Sequence, residues 1–142
     1  MVPSTPVRPF HFAFNVRDLT STRRFYGELL GCREGRSTQT WVDFDFFSNQ
    51  ISAHLGEPTV TRDTGRVEEI AVPMPHFGAL LGWEEFQEVA KRLAAAEVTF
   101  IIPPRIRFEG QPGEQATMFL RDFSGNALEF KAFRHPEHVF TA

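Results

Sequence analysis

The sequence contains a single cysteine, Cys32. No disulfide can form within the chain, and a structural zinc site built on cysteines is excluded with it. A chain without disulfides fits the cytoplasm, which is the expected location. Long hydrophobic runs are absent too: none approaches the roughly 18 residues of a membrane-spanning helix. Met1 to Pro6 lacks the apolar centre of a secretory signal. Net charge is small, −3 at pH 7, and no basic tract stands out. Neither nucleic acid nor an anionic membrane surface is therefore an expected partner. One tyrosine and two tryptophans stand beside 16 phenylalanines. That imbalance points to aromatic packing between thin layers.

What is present describes one domain. A length of 142 residues with 42% apolar and 23% charged residues is enough to bury a core in a soluble protein. After a proline-rich arm at 1–8, Phe10, Phe12, Phe14 and Val16 alternate with His11, Ala13 and Asn15, the period of a strand. Asp18 caps a predicted helix that runs to about Leu30 and ends at Gly31, with Phe25, Tyr26, Leu29 and Leu30 on its buried stripe. Strands are expected at 33–37, 40–47 and 50–55, with Ser48-Asn49 as the tight turn. Cys32 reads as a small residue at a strand end rather than a nucleophile.

Residues 56–67 are polar and read as a linker or exposed loop; 68–74 is less regular and reads as extended. The pattern of the first half then starts again. Phe77-Gly78-Ala79-Leu80-Leu81 follows His76 as Phe12-Ala13-Phe14-Asn15-Val16 follows His11. A helix is predicted over 83–95, strands over 99–102, 115–121 and 127–133, and a Pro/Gly-rich loop over 103–114. The chain is thus two copies of strand-helix-strand-strand-strand: module 1 at about 9–56, a linker at about 57–67, module 2 at about 68–134 and a tail at 135–142. The fold class is α+β, two βαβββ modules forming curved mixed sheets around a cavity.

Counting back from the chain end, His54 lies over Glu129. His11, His54, His76 and Glu129 then occupy the first and last strands of both copies, each on the face opposite the phenylalanines. A carboxylate in mid-strand, as Glu129 is, needs a counter-charge or a metal. If the sheets curve around a common cavity, the four side chains converge on a mononuclear site for Fe(II), Mn(II), Ni(II), Zn(II) or Co(II). Two histidines and a carboxylate leave positions open for substrate and oxygen, as in non-heme Fe(II) oxygenases. His11, His76 and Glu129 are the expected ligands; His54 is a fourth ligand, a supporting group or a catalytic acid/base. By strand parity Lys131 and Gln115 are candidate substrate contacts, with Asp43, Asp45, Thr117 and Trp41 also within reach of the cavity; Arg107 is a further candidate contact, with Arg105 and Gln111, from the long loop at the cavity mouth. Tyr26 and Trp83 read as packing residues, and His135 and His138 as part of a frayed tail.

The double repeat, His11-Phe12, Arg24-Phe25-Tyr26 before Leu29-Leu30-Gly31, and Asp122-Phe123-Ser124-Gly125-Asn126-Ala127-Leu128-Glu129 together resemble the vicinal oxygen chelate superfamily, the glyoxalase, bleomycin-resistance and extradiol-dioxygenase group. The resemblance runs from about Pro9 to Phe133. Pro75-His76-Phe77-Gly78 and the stretch from Gly110 to Phe119 are most similar to small proteins grouped with the extradiol dioxygenases. The resemblance implies a divalent metal, Fe(II) first, that chelates two neighbouring substrate oxygens, with His11, His76 and Glu129 on the ligand positions. It also implies a homodimer. His54 departs from the pattern, as does the lack of an active-site tyrosine. The first expectation is a dioxygenase acting on a vicinal diol or catechol-like molecule. A glyoxalase-like isomerase or lyase would use a fourth ligand. A metal-free protein that binds a planar drug would use an aromatic groove instead.

Overall fold

A computed structural model describes residues 7–141. Most of the expected N-terminal arm lies outside these residues. Module 1 contains β1 (His11–Val16), helix α1, and β2 (Arg33–Ser37), β3 (Trp41–Phe46) and β4 (Asn49–Leu55). Helix α1 begins as an α-helical turn, Leu19–Thr22, and continues as a π-helical stretch, Arg23–Leu29. Asp18 is its N-cap, accepting from the Ser21 amide at 2.7 Å. Gly31, at φ 75°, ends it in the left-handed region that glycine occupies without strain. Module 2 contains β7 (Phe77–Leu80), α2 (Trp83–Ala95), β8 (Phe100–Arg107), β9 (Gln115–Arg121) and β10 (Ala127–Phe133).

Each module makes one four-stranded sheet, in the orders β1-β4-β3-β2 and β7-β10-β9-β8. The first and last strands of each module are parallel and the remaining pairs antiparallel. The apolar faces of the two sheets share one core. Phe12 and Phe14 meet Phe77 with ring centroids 4.8 and 5.0 Å apart, and Phe46 lies 5.8 Å from Phe130. Phe25, Tyr26, Phe86 and Leu93 of the helices fill the same core. Arg92 of α2 donates to the carbonyls of Leu29 and Leu30 at the end of α1, at 2.8 and 3.2 Å. Among the described residues no helix is long and apolar enough to cross a membrane.

Three local expectations need correction. The stretch read as a linker is half of a hairpin, β5 (Arg62–Val67) and β6 (Ile70–Met74), turning at Glu68-Glu69. The polar residues 62–66 escaped a periodicity reading, yet Val67 and Val72, with Ile70 beside them, pack on Ile102 and Phe119. The hairpin therefore lies across the outer face of the second sheet. β8 continues through Pro103 and Pro104 to Arg107, because it is an edge strand with register shifts where missing amides are tolerated. The β3–β4 turn is centred on Phe47-Ser48, both at positive φ, one residue before the expected place.

Candidate metal-binding half-sites

Glu129 is positioned from the turn before it. Asp122 Oδ1 accepts from the amides of Ser124 and Asn126 at 2.8 and 2.9 Å, and Oδ2 from Asn126 Nδ2 at 3.0 Å and Tyr26 Oη at 2.7 Å. The phenol of Tyr26 is held well above its usual pKa by burial and by Asp122, so it stays a donor. Asn126 Nδ2 also donates to the Asn15 carbonyl (2.9 Å), and Ser124 Oγ accepts from the Arg17 amide (2.9 Å). These bonds tie the end of β1 to the start of β10.

From that anchor, Glu129 points to the outer face of the second sheet. Its Oε2 accepts from Thr117 Oγ1 at 2.6 Å, and its Oε1 lies 3.3 Å from His76 Nε2. His76 Nδ1 lies 2.8 Å from the Pro73 carbonyl, which can only accept, so Nδ1 carries a proton. Nε2 and a carboxylate oxygen then face one another, an arrangement that requires a proton or a cation between them. The Glu129 hydrogen bond is the largest of the influences that raise the His76 pKa; burial opposes it. The edge of Phe119 meets the His76 ring at 4.9 Å. Lys131 Nζ stands 4.0 Å from Glu129 Oε1, and together these residues line a cleft of about 210 Å³.

The outer face of the first sheet carries the other half. His11 Nδ1 meets Gln50 Oε1 at 2.9 Å, Gln50 Nε2 meets Asp43 Oδ2 at 3.5 Å, and Ser52 Oγ donates to Asp43 Oδ1. With the Gln50 amide nitrogen turned to Asp43, its oxygen accepts from the Nδ1–H, and His11 Nε2 has no partner among the described residues. This face opens onto a basin of about 710 Å³ lined by Trp41, Asp43, Asp45 and Gln50. His54 is exposed and stacks on Trp41, with centroids 6.0 Å apart.

The expected convergence does not occur within one chain. Among the described residues, no three His, Cys, Asp or Glu side chains gather as a metal site. The reason is the core: with the phenylalanine faces of both sheets packed together, the opposite faces point away from it, one carrying His11 and the other His76 and Glu129. The correspondence of His54 with Glu129 is also corrected. Phe12 pairs with Ile51, and Phe77 pairs with Leu128. The residue equivalent to Glu129 is thus Ser52, and His54 corresponds to Lys131. The β9–β10 connection is longer than the β3–β4 turn, so distance from the turn misleads.

Lys131, Gln115 and Arg107 do share the face of Glu129. Lys131 lies opposite Thr117, which lies opposite Arg105; Phe133, Gln115 and Arg107 form the next row. Gln111 stays in the exposed 108–114 turn, and Asp45 accepts from the Ser48 amide instead. Tyr26 is in the core, as expected. Trp83 lies under the Arg134 guanidinium at 4.9 Å. His135 and His138 sit 5.5 Å apart at a short 3₁₀ turn. Residue reading missed Gln50, Glu68 and Gly78. A lone glycine inside a strand pattern was the available signal for the last.

A family model described as the Glyoxalase/Bleomycin resistance protein/Dioxygenase superfamily matches residues 8–130. The chain belongs to that superfamily. A glyoxalase/bleomycin resistance protein/dioxygenase from Alicyclobacillus acidocaldarius is 31% identical, with a TM-score of 0.73 over 96% of this chain and 98% of that one. The fosfomycin resistance protein FosX from Listeria monocytogenes shares the fold at 22% identity and a TM-score of 0.65, covering 98% and 100% of the two chains. A glyoxalase/dioxygenase from Nostoc punctiforme does so at 15% and 0.68, covering 95% and 100%. No curated protein matches significantly. The superfamily is mostly enzymatic, and its members typically use divalent metals. His76 fits such an ion: a ligating histidine commonly donates its second ring N–H to a backbone carbonyl, as Nδ1 does to Pro73.

Proposed function

We propose that this superfamily member is a divalent-metal-dependent enzyme whose site is completed between two copies of the chain, with His11 from one and His76 and Glu129 from the other. A two-fold homodimer that lays the first sheet of each copy over the second sheet of its partner would form this site twice. The observation that carries the reading is the paired His76 and Glu129, aimed at one point with their remaining atoms already bonded. Ser52 at the fourth equivalent position favours three protein ligands and open positions, hence a dioxygenase of the extradiol type acting on a vicinal diol or catechol-like molecule, with Fe(II) as the metal. Such a metal supplies Lewis acidity to two neighbouring substrate oxygens.

The chain's own residues have distinct parts in this reading. Thr117 holds Glu129 Oε2, which leaves Oε1 for the ion. Lys131 balances negative charge that develops on a substrate oxygen. Gln115 and Arg107 orient the distal part of the substrate, and the hairpin 62–74 excludes water from that side. His54, exposed on the first sheet, is the candidate for holding or releasing a proton at its ring nitrogen. A glyoxalase-like isomerase is the second reading. Asp43 favours it, because this carboxylate already shares hydrogen bonds with Ser52 and Gln50 on the substrate-facing side.

Subunit complementation tests the assembly. His11→Ala and Glu129→Ala homodimers should each fail to retain Fe(II) under anaerobic conditions. Mixed and re-equilibrated, they should recover about a quarter of the wild-type metal per chain, since half the dimers carry one intact site of two. Recovery followed by O2-dependent cleavage of a catechol supports the dioxygenase. Metal-dependent turnover without O2 selects the isomerase, and no recovery rejects the shared site.

A further inference from the structure

Beside the metal half-site, β8 presents Arg105 and Arg107 on the same outer face as Glu129 and Lys131. Both meet one carboxylate. Glu68, at the tip of the β5–β6 hairpin, has Oε2 3.2 Å from Arg105 Nη1 and Oε1 3.6 Å from Arg107 Nε. The second separation is too long for a hydrogen bond, and Arg107 Nε is buried without a partner. Among the described residues, an unpaired guanidinium donor thus sits on a face already committed to polar chemistry, at a cost that a bound anionic oxygen would remove. Charge points the same way. Arg105, Arg107 and Lys131 outnumber Glu68 and Glu129 there, although the chain as a whole is negative.

Glu68 is not held by a regular element. Its φ is 55°, the left-handed region that is unfavourable for a residue with a Cβ, and about half of its side chain is exposed. A half-exposed carboxylate at a hairpin tip is an internal ligand that an external anion can replace.

We propose that Arg105 and Arg107 form a binding subsite for an anionic oxyacid group of the substrate, a carboxylate, phosphate or phosphonate. Glu68 occupies this subsite until the anion displaces it. The inference rests on the active face proposed above and specifies its substrate class: a small molecule with its chelating oxygens at one end and an anionic group at the other. Arg105 lies one row along the strands and two strands across from Glu129. The row offset is about 7 Å at the strand rise, and the strands add about 10 Å laterally. After the reach of the side chains is subtracted, the substrate spans several ångströms between its two ends.

The test uses the metal-free full-length protein, so it does not depend on the metal reading. Inorganic phosphate and, separately, malonate are titrated by calorimetry at constant ionic strength into wild type, Glu68→Gln and the double variant Arg105→Gln/Arg107→Gln. Freeing the arginines should tighten binding of at least one anion about tenfold in Glu68→Gln, the factor expected if Glu68 fills the site nine-tenths of the time. The double variant should show no saturable binding. Which anion gains more distinguishes phosphate-type from carboxylate recognition. Glu68→Asp, which shortens the side chain but keeps its charge, serves as the second variant if Glu68→Gln is poorly folded, with the same direction expected. Unchanged affinity in the folded Glu68 variants, or wild-type binding in the double variant, overturns the proposal. Failure of the metal reading would appear elsewhere, in the metal content of the His11→Ala and Glu129→Ala mixtures.

Discussion

A Cβ built on Gly78 would stand 1.5 Å from the carbonyl oxygen of Glu129. β7 therefore lies against β10 at a distance that only glycine permits, and the backbone of the proposed ligand Glu129 is the surface it touches. Gly78→Ala must push the two strands apart, moving His76 relative to Glu129. We expect a loss of about 3 kcal/mol by urea denaturation, near the upper end for overpacking. Metal retention should also fall, and Ala79→Gly, one residue along, should lower it far less.

The His76–Glu129 pair makes the metal-free protein pH-sensitive in a defined direction. His76 has a raised pKa, chiefly from the Glu129 hydrogen bond. Its contribution to stability is fully present below the unfolded histidine value of about 6.5 and disappears as pH rises through the folded value. NMR titration should find the His76 ring protonated above the range of a free histidine. Glu129→Gln should bring that midpoint down, and an unchanged midpoint would refute the pairing.

Asp122 gathers four donors: the Tyr26 hydroxyl, two amides and the Asn126 side chain. Asp122→Asn keeps the shape but offers an N–H where acceptors are needed, and Asp122→Ala leaves every donor without its partner. Alanine should cost about 3–5 kcal/mol. Tyr26→Phe, which spares three of the bonds, should cost about 1–2 kcal/mol. Chemical denaturation of the three variants checks the order.

Gln50 bridges His11 to Asp43, at 2.9 and 3.5 Å. Gln50→Leu frees the His11 ring to choose its tautomer and orientation. Metal affinity of the assembled protein should drop about 10–100-fold, the usual effect of losing a ligand's supporting hydrogen bond. Thermal stability should stay within about 1 kcal/mol of wild type because Gln50 is exposed. Competition with a fluorescent chelator measures the first quantity and calorimetry the second.

Cys32 is buried, and burial pushes its thiol pKa up to about 12. The thiolate is the reactive form. Alkylation at pH 8 should therefore be slow in the native protein and become fast only in denaturant, whatever the metal status. Rapid native labelling would contradict this packing.

Much of the fold was legible because its signals are local. His11–Val16 alternates with period two, Asp18 and Gly31 bracket a helix with a buried stripe, and Trp83–Ala95 has helical spacing throughout. The hairpin at 62–74 was not legible. Its first strand, Arg62–Val67, is polar but for Val67, and its packing partners Ile102 and Phe119 are distant in sequence; only the second strand, Ile70–Met74, lies in a stretch read as extended. The prolines in β8 argued for a loop, and the edge position that accommodates them is a property of the sheet.

Strand period, legible in the residues, decides which side chains leave the sheet on the face opposite the phenylalanines, because it is two wherever the strand goes. It puts His11, His54 and Glu129 on polar faces, together with Lys131 and Gln115; Arg107, read as part of a loop, joins them through the extension of β8. Which of them meet is a property of the folded chain. Register assigned Ser52 rather than His54 to the position equivalent to Glu129, since rung pairing depends on connection lengths that a repeat does not conserve. The shared phenylalanine core decided the rest: burying both apolar faces against each other turned the two polar faces outward. His76 meets Glu129 within one chain, and His11 is left on the other face.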